Sequence, residues 1–262
     1  MTVLQNKVVE GVPRDAASVV LVRDAKAGGL EVFLLRRGTS TTVLNSAYVF
    51  PGGKVDEADA SDEQIDALGL SGDPRVLLGE HDISLRQAAS MFVAACRETF
   101  EETGVRIHGR DLLPLSRWIT PKVPAMMTKR FDTRFFVGAI HADVHAVHDG
   151  QEADASVWYS PREALERYGA KEIMLAPPQI MTLVGLVNMK SFAQVQEALT
   201  GRMPHLVEPM SYLHGESRVI AYPGDPKHSV KTRAMPGPTS LIYRDNRFEP
   251  VNGFEEFLAS IN

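Results

Sequence analysis

The sequence contains almost no cysteine. Cys96 is the single cysteine among 262 residues, which excludes an intrachain disulfide and a cysteine-based metal site. Cys96 follows two alanines in a helical pattern, so we interpret it as a small core residue rather than a nucleophile. These features are typical of a reducing compartment, and the cytoplasm is the predicted location.

Long apolar runs and an excess of basic residues are also missing. No apolar stretch approaches the roughly 18 residues that cross a membrane, and residues 1–7 lack the pattern of a signal peptide. The 28 Lys and Arg residues are outnumbered by 33 Asp and Glu, which gives a net charge of -5. A general nucleic-acid binder normally has a basic excess. We therefore expect neither a membrane nor a nucleic acid as partner.

The sequence does contain alternating short strands and amphipathic helices, which predicts an α/β fold. Strands are predicted at 17–22, 31–37, 47–50, 105–107, 133–140 and 156–159, and helices at 84–104, 160–168, 177–186 and 192–199. A polar segment at about 60–83, with a short helix at 61–68, is interpreted as an insertion. The main domain spans 1–200. Beyond it, frequent Pro and Gly indicate a C-terminal extension, 201–262, packed on that domain with strands at 218–222 and 240–243.

The longest predicted helix has clear end signals. Ser84 and Gln87 fit a capping box in which the Gln87 side chain returns to the cap amide. Gly104 ends the helix as a left-handed cap. Leu85, Ala88 and Phe92 recur at helical spacing and are predicted to face the core.

Three carboxylates lie near the end of this helix. Glu98, Glu101 and Glu102 stand at i, i+3 and i+4, which places them on one helical face. Like charges at this spacing repel unless a cation neutralises them, and Mg²⁺ is typically held by a few carboxylates and substrate phosphates. The alternative is a solvated acidic face.

The segment from Arg97 to Val105 resembles the second half of the Nudix box, G-x5-E-x7-R-E-U-x-E-E-x-G-U, where U is apolar. Gly53 matches the first glycine, and Asp59 stands where the pattern has Glu. Because 37 residues separate Asp59 from Arg97, the chain resembles a Nudix hydrolase whose box is split by an insertion.

Further stretches resemble one branch of this superfamily, the peroxisomal acyl-coenzyme A diphosphatases, which also carry an insertion inside the box. The segments that carry this resemblance are 34–37, 49–59, 118–121, 129–136 and 175–179. The resemblance implies an α/β/α sandwich with a mixed central sheet.

The resemblance also implies the site residues. Glu98, Glu101, Glu102 and the Gly53 carbonyl would hold Mg²⁺ or Mn²⁺, and Arg97 would orient the glutamates. Glu152 is the first choice for the general base and Glu102 the second, whereas Asp59 is expected to be structural. The candidates for contacting substrate phosphates are Arg36, Arg37, Lys129, Arg130 and Arg134.

The function implied is hydrolysis of CoA or acyl-CoA to 3′,5′-ADP and a phosphopantetheine product. Two alternatives stay open: hydrolysis of ADP-ribose, NADH or another nucleoside diphosphate derivative, and a non-catalytic Nudix domain that senses a nucleotide. The partner is a small nucleotide-containing molecule in each case. The insertion is a candidate for covering the active site or for a homodimer contact, and the sequence leaves both open.

Overall fold

The computed structural model describes residues 8–38, 46–123, 129–150 and 152–261. Its largest element is a nine-stranded central sheet. The strands are β1 (Arg14–Asp24), β2 (Leu30–Arg37), β3 (Ala47–Val49), β4 (Gly52–Lys54), β5 (Leu112–Ile119), β6 (Phe131–Ala139), β7 (Ala153–Tyr159), β8 (Met174–Leu175) and β9 (His205–Val207).

The sheet is mixed, as predicted. Its main order is β8-β3-β2-β1-β6-β5-β9, with β4 also pairing with β1 and β7 with β2. The β1–β6, β3–β8 and β5–β9 pairs are parallel, and the other pairs are antiparallel. β1 is buried on both faces from Ala16 to Val22, which explains its nearly continuous apolar run.

Helices cover both faces of this sheet. They are α1 (Asp62–Ala67), α2 (Pro74–Leu78), α3 (Leu85–Thr103), α4 (Pro161–Gly169), α5 (Pro177–Leu186), α6 (Phe192–Leu199) and α7 (Phe254–Ser260). α3 packs through Phe92 against Val19 and Phe136 on one face. α4, α5 and α6 fill a separate core on the opposite face. The three layers form the predicted α/β/α arrangement.

The segment between β4 and α3 is the region interpreted as an insertion. Ser61 caps α1, as predicted, and Asp73 caps α2 with Pro74 in the first helical position. Leu68 and Leu78 are buried against Ala88 of α3. The segment therefore packs on the N-terminal half of α3, and the three glutamates lie in its C-terminal half.

A second sheet occupies the C-terminal region. Its four strands, in the order β10-β11-β12-β13, are β10 (Met210–His214), β11 (Ser217–Ala221), β12 (Ser240–Arg244) and β13 (Arg247–Pro250). β9, which also lies beyond residue 200, pairs with β5 of the central sheet. The two predicted strands of this region correspond to β11 and β12, whereas the division of the chain at residue 200 stays a prediction.

Three local predictions were wrong. Val105–Ile107 is not a strand, because the chain leaves Gly104 in a loop and regular pairing resumes only at Leu112. Leu85 is 50% exposed, since it occupies the first turn of α3 beyond the sheet. The Gln87 side chain donates to Asp15 Oδ2 at 2.8 Å instead of returning to the Ser84 amide.

Candidate active site

The carboxylate face of the site is the C-terminal half of α3. Ser84 caps the helix by accepting a hydrogen bond from the Gln87 amide, and Gly104 ends it with φ of 71°. Thr99 and Thr103 face the core and are buried. The helix rotation that buries these threonines directs Glu98, Glu101 and Glu102 away from the core and toward the segment that follows β3.

Gly52 and Gly53 supply the opposing backbone. The Gly52 amide donates to Glu102 Oε2 at 2.9 Å. A Cβ atom at Gly53 would collide with the Glu98 carboxylate, so only glycine permits this approach. The two glycines therefore bring main-chain polar groups against the glutamates, although Gly53 and Glu98 are 45 positions apart.

Arg97 joins the two halves of the site. Its Nε and Nη2 donate to the two oxygens of Asp59, each at 2.8 Å, and Nη2 also donates to the Lys54 carbonyl at 3.0 Å. Its Nη1 donates to Glu98 Oε1 at 2.9 Å and to Glu101 Oε2 at 3.0 Å. Arg97 thus contacts two of the glutamates through one nitrogen and Asp59 through the other two.

Burial and like charge act on the glutamates together. Burial is the main cause that raises the pKa of Glu102 to about 8; the charges of Glu98, Glu152 and Asp149 add to it, and the Gly52 hydrogen bond opposes it. Burial also raises the pKa of Glu98, an effect that Arg97 opposes. Hydrogen bonds to Asp59 are the main cause of the raised pKa of Arg97. The carboxylates are therefore held closer together than their charges favour.

The loop before β7 lies near this face. Glu152 contributes a like-charge effect at both Glu98 and Glu102. The Glu152 carbonyl accepts from the Gly38 amide at 2.9 Å, which anchors the loop to the end of β2. Asp149 caps the turn by accepting from the amides of Glu152 and Ala153. The structure thus brings Glu152 toward the box glutamates.

The donor set fits a hard divalent cation. It consists of carboxylate and carbonyl oxygens, which Mg²⁺ and Mn²⁺ favour. Within the described ranges, no three Asp, Glu, His or Cys side chains already surround one point as a complete metal cluster. Arg97 engages Glu98 and Glu101, and the Gly52 amide engages Glu102. A cation here would stabilise the charged form of Glu102 against the burial and the like charges that raise its pKa.

Three of the predicted substrate contacts are accessible side chains. Arg36 is half-exposed and pairs with Asp154 at 2.6 Å. Arg37 follows it and is exposed at the end of β2, and Lys129 is exposed beside the undescribed residues 124–128. Phe33 and Leu35 of β2 lie apart from the core of α4 and α5, and the β2–β7 pairing becomes irregular between Arg36 and Arg37.

Arg130 and Arg134 do not have the accessible positions that were predicted. Arg134 is 2% exposed, and its guanidinium pairs with Glu80 at 2.6 Å and with Asp15 at 2.6 Å. Arg130 is also buried and donates to the carbonyls of Thr120 and Gly11. Both side chains are occupied inside the fold, so the structure gives them structural contacts.

Asp149 is the acidic neighbour of the site that the sequence reasoning missed. Its charge is one of the causes that raise the pKa of Glu102, and its only sequence signal is a position three residues before Glu152. Among the described residues, no helix has both the length and the apolar character needed to cross a membrane.

Comparisons with known proteins show what the chain is similar to. Residues 110–186 match the family model described as the NUDT19 Nudix domain. The chain is 27% identical to acyl-coenzyme A diphosphatase NUDT19 of Gallus gallus over 297 aligned residues, which cover 81% of this chain and 79% of the relative. The Homo sapiens protein of the same name gives 27% identity with the same coverages.

A solved structure supports the fold independently. The crystal structure of a NUDIX hydrolase from Alicyclobacillus acidocaldarius aligns with a TM-score of 0.60 and 24% identity, covering 74% of this chain and 97% of that one. The chain is thus similar to Nudix hydrolases in sequence and in fold. The matched family model begins after α3, so the resemblance of residues 53–105 to the Nudix box rests on the motif and on the contacts of Arg97, Asp59, Gly52 and Gly53 described above.

Proposed function

We propose that this Nudix hydrolase cleaves the pyrophosphate of CoA or acyl-CoA, releasing 3′,5′-ADP and phosphopantetheine or its acyl derivative. The observation that carries the proposal is the carboxylate face, in which Glu102 accepts from the Gly52 amide, the Glu98 carboxylate lies against Gly53, and Arg97 holds Glu98 and Glu101. The relatives named acyl-coenzyme A diphosphatase support the choice of substrate. ADP-ribose or NADH is the alternative substrate.

Mg²⁺ or Mn²⁺ is the proposed cofactor. Glu98, Glu101 and Glu102 would hold it together with the Gly53 carbonyl. Divalent cations neutralise a pyrophosphate and lower the pKa of a bound water. Arg97 contributes by fixing the rotamers of Glu98 and Glu101, and Asp59 fixes Arg97 in turn. We regard Arg97 and Asp59 as positioning residues.

Glu152 is the proposed general base. It lies near Glu98 and Glu102, as its electrostatic effect on both indicates, and it is exposed. Glu102 is the second candidate, but it is more buried and one of its oxygens accepts from the Gly52 amide. An exposed carboxylate is better placed to take a proton from an attacking water.

The proposed contacts to substrate phosphates are Arg36, Arg37 and Lys129. Arg37 fits best, because it is exposed and directly precedes Gly38, whose amide donates to the Glu152 carbonyl. Arg36 would exchange its ion pair with Asp154 for a phosphate, and Arg side chains recognise phosphate with two parallel hydrogen bonds.

A substrate panel tests the proposal. The purified protein is incubated with Mg²⁺ and, separately, with CoA, a short-chain acyl-CoA, ADP-ribose and NADH, and the nucleotide products are separated. We expect 3′,5′-ADP from CoA or acyl-CoA at the highest kcat/KM. Turnover of ADP-ribose without turnover of either CoA substrate would overturn the proposed substrate and leave the reaction class intact.

A further inference from the structure

A small cavity lies on the sheet face opposite α3. Its walls come from β5, α5 and α6, and the segment at Met235 and Pro236 closes one side. The apolar lining includes Trp118, Met181, Leu186, Val195, Leu199 and Met235. Because α3 and its glutamates pack on the other face, this cavity is separate from the candidate active site and independent of the proposed reaction.

Two hydroxyl side chains line this cavity. Ser116 is 7% exposed, and its oxygen accepts from Trp118 Nε1 at 3.2 Å. Thr182 is also 7% exposed and lines the same cavity. A hydroxyl can both donate and accept, so the two side chains can bind a polar ligand atom or water there.

The rim of the cavity carries positive charge. Arg202 lines it and forms no ion pair with any residue that the structure describes. Burial alone lowers the pKa of Arg202, with no carboxylate near enough to oppose the effect. His205 stands beside it, and burial together with Arg202 lowers the pKa of His205 to about 4. At neutral pH the rim therefore has one cation and one neutral imidazole, and the described lining includes no acidic side chain.

The size of the cavity limits the ligand. Its volume is about 70 Å³, several times the roughly 10–15 Å³ that one water needs and far below the roughly 300–1,000 Å³ of nucleotide-sized sites. Three methionines in the wall, Met181, Met189 and Met235, allow modest adjustment of shape. We propose that this cavity binds a short aliphatic carboxylate, with its chain against Trp118 and its anionic head at Arg202.

Trp118 provides a direct readout of binding. The chain has two tryptophans, so Trp158→Phe leaves Trp118 as the sole indole. Titration of this variant with butanoate, hexanoate and octanoate is expected to give a saturable change in indole emission in the millimolar range, strongest for one chain length. Hexanol, which lacks the charge, is expected to bind at least tenfold more weakly. Equal responses to hexanol and hexanoate would overturn the assigned anionic head.

Substitutions within the Trp158→Phe variant locate the site. Gly185 lines the cavity, and a Cβ there meets open space, so Gly185→Leu is expected to fill the cavity and abolish the response. Arg202→Met is expected to weaken hexanoate at least tenfold and leave hexanol unchanged. Gly169→Ala, in a helix outside the cavity, is the control that retains binding.

The thermal unfolding of each variant is measured to show that the variant is folded. If Gly185→Leu is unfolded, Thr182→Val is used in its place. Thr182→Val removes the hydroxyl at constant shape and is expected to weaken hexanoate severalfold. Unaltered hexanoate titrations in the folded cavity variants would overturn the site, as would the absence of any saturable response.

Discussion

The Arg97 guanidinium contacts both halves of the carboxylate site. It binds Asp59 through two hydrogen bonds and holds Glu98 and Glu101 through a third nitrogen. The i+4 spacing of Arg97 and Glu101 allowed that contact to be predicted. The bidentate pair with Asp59 needs the chain to fold back over 38 residues, so spacing alone could not establish it.

Asp59→Asn tests this positioning at the residue scale. Asp59 is 1% exposed, and the amide keeps its shape while removing the charge that anchors Arg97. We expect Mg²⁺-dependent activity to fall by about 10–100-fold, the usual effect of losing a group that orients a metal ligand. Steady-state kinetics across a Mg²⁺ titration measure this.

Asp56→Asn is the matched control, because Asp56 is exposed and lies 3.8 Å from Arg97. Its activity should stay within a factor of two, roughly, since exposed ion pairs contribute little. Equal losses in the two variants would contradict a special role for Asp59.

Glu102 gives a prediction about pH. Its folded-state pKa of about 8 lies above its ordinary 4.5, so the folded protein binds the extra proton between these values. The stability of the metal-free protein therefore falls as pH rises through that window. We expect Glu102→Gln to raise the Tm at pH 8 by roughly 4 °C, since 1 kcal/mol shifts the Tm by about 2–4 °C at this size.

Scanning calorimetry without divalent ions checks the Glu102 effect. The gain in Tm should shrink at pH 5. It should disappear with saturating Mg²⁺, because the carboxylate of the parent protein is then needed to hold the cation. Glu101→Gln, at a more exposed position, should show a much smaller gain. A Glu102→Gln variant that is less stable than the parent at pH 8 without metal would contradict this account.

At the scale of elements, α3 depends on supports at both ends. The Ser84 and Gly104 caps could be predicted from local sequence, and both are present. The ion pairs of Glu80, which precedes α3, could not be predicted. Their partners, Arg117 and Arg134, are far along the chain. Arg134 was for this reason mistaken for a substrate contact: nothing near it in sequence signals a buried partner.

Glu80→Gln tests how the insertion is held. Glu80 and Arg134 are both buried, and loss of the Glu80 charge weakens its hydrogen bonds to Arg134, which keeps Asp15 as a partner. We expect the free energy of unfolding to fall by about 2 kcal/mol, the usual scale for a hydrogen bond to a charged group. Urea titration measures it, with Glu57→Gln, an exposed acid of the same segment, as the control with almost no loss. Similar midpoints for the two variants would show that the ion pair contributes little.

At the scale of the whole molecule, the C-terminal region is continuous with the main core. Val207, Tyr222 and Phe254 lie in the same apolar cluster as residues of α4 and α5. The Tyr168 hydroxyl of α4 donates to the Phe248 carbonyl, and Arg247 donates to the Tyr168 carbonyl. Individual strands here could be predicted from Val and Ile content, but their contacts depend on long-range packing that no local pattern encodes.

Truncation after Thr200 tests this continuity. Removing residues 201–262 uncovers the cluster around Tyr168 and deletes β9 from the central sheet. We expect the 1–200 fragment to be insoluble or to lose cooperative unfolding, as judged by near-ultraviolet circular dichroism and calorimetry.

Leu213→Ser is the control for a surface change in the same region, because Leu213 is exposed. This variant should unfold like the parent protein. A folded, cooperative 1–200 fragment would show instead that the extension is an independent addition.

The most direct test of the carboxylate face is the double variant Glu101→Gln/Glu102→Gln. With the substrate that the panel identifies, we expect kcat to fall at least ~10²-fold while equilibrium binding of substrate is largely kept, because metal-assisted stabilisation is removed. Glu255→Gln/Glu256→Gln, on the exposed side of α7, controls for charge. An unchanged kcat in the carboxylate-face variant would contradict the metal site. If the parent protein bound the substrate as tightly as the variant but did not turn it over, the protein would be a sensor and not an enzyme.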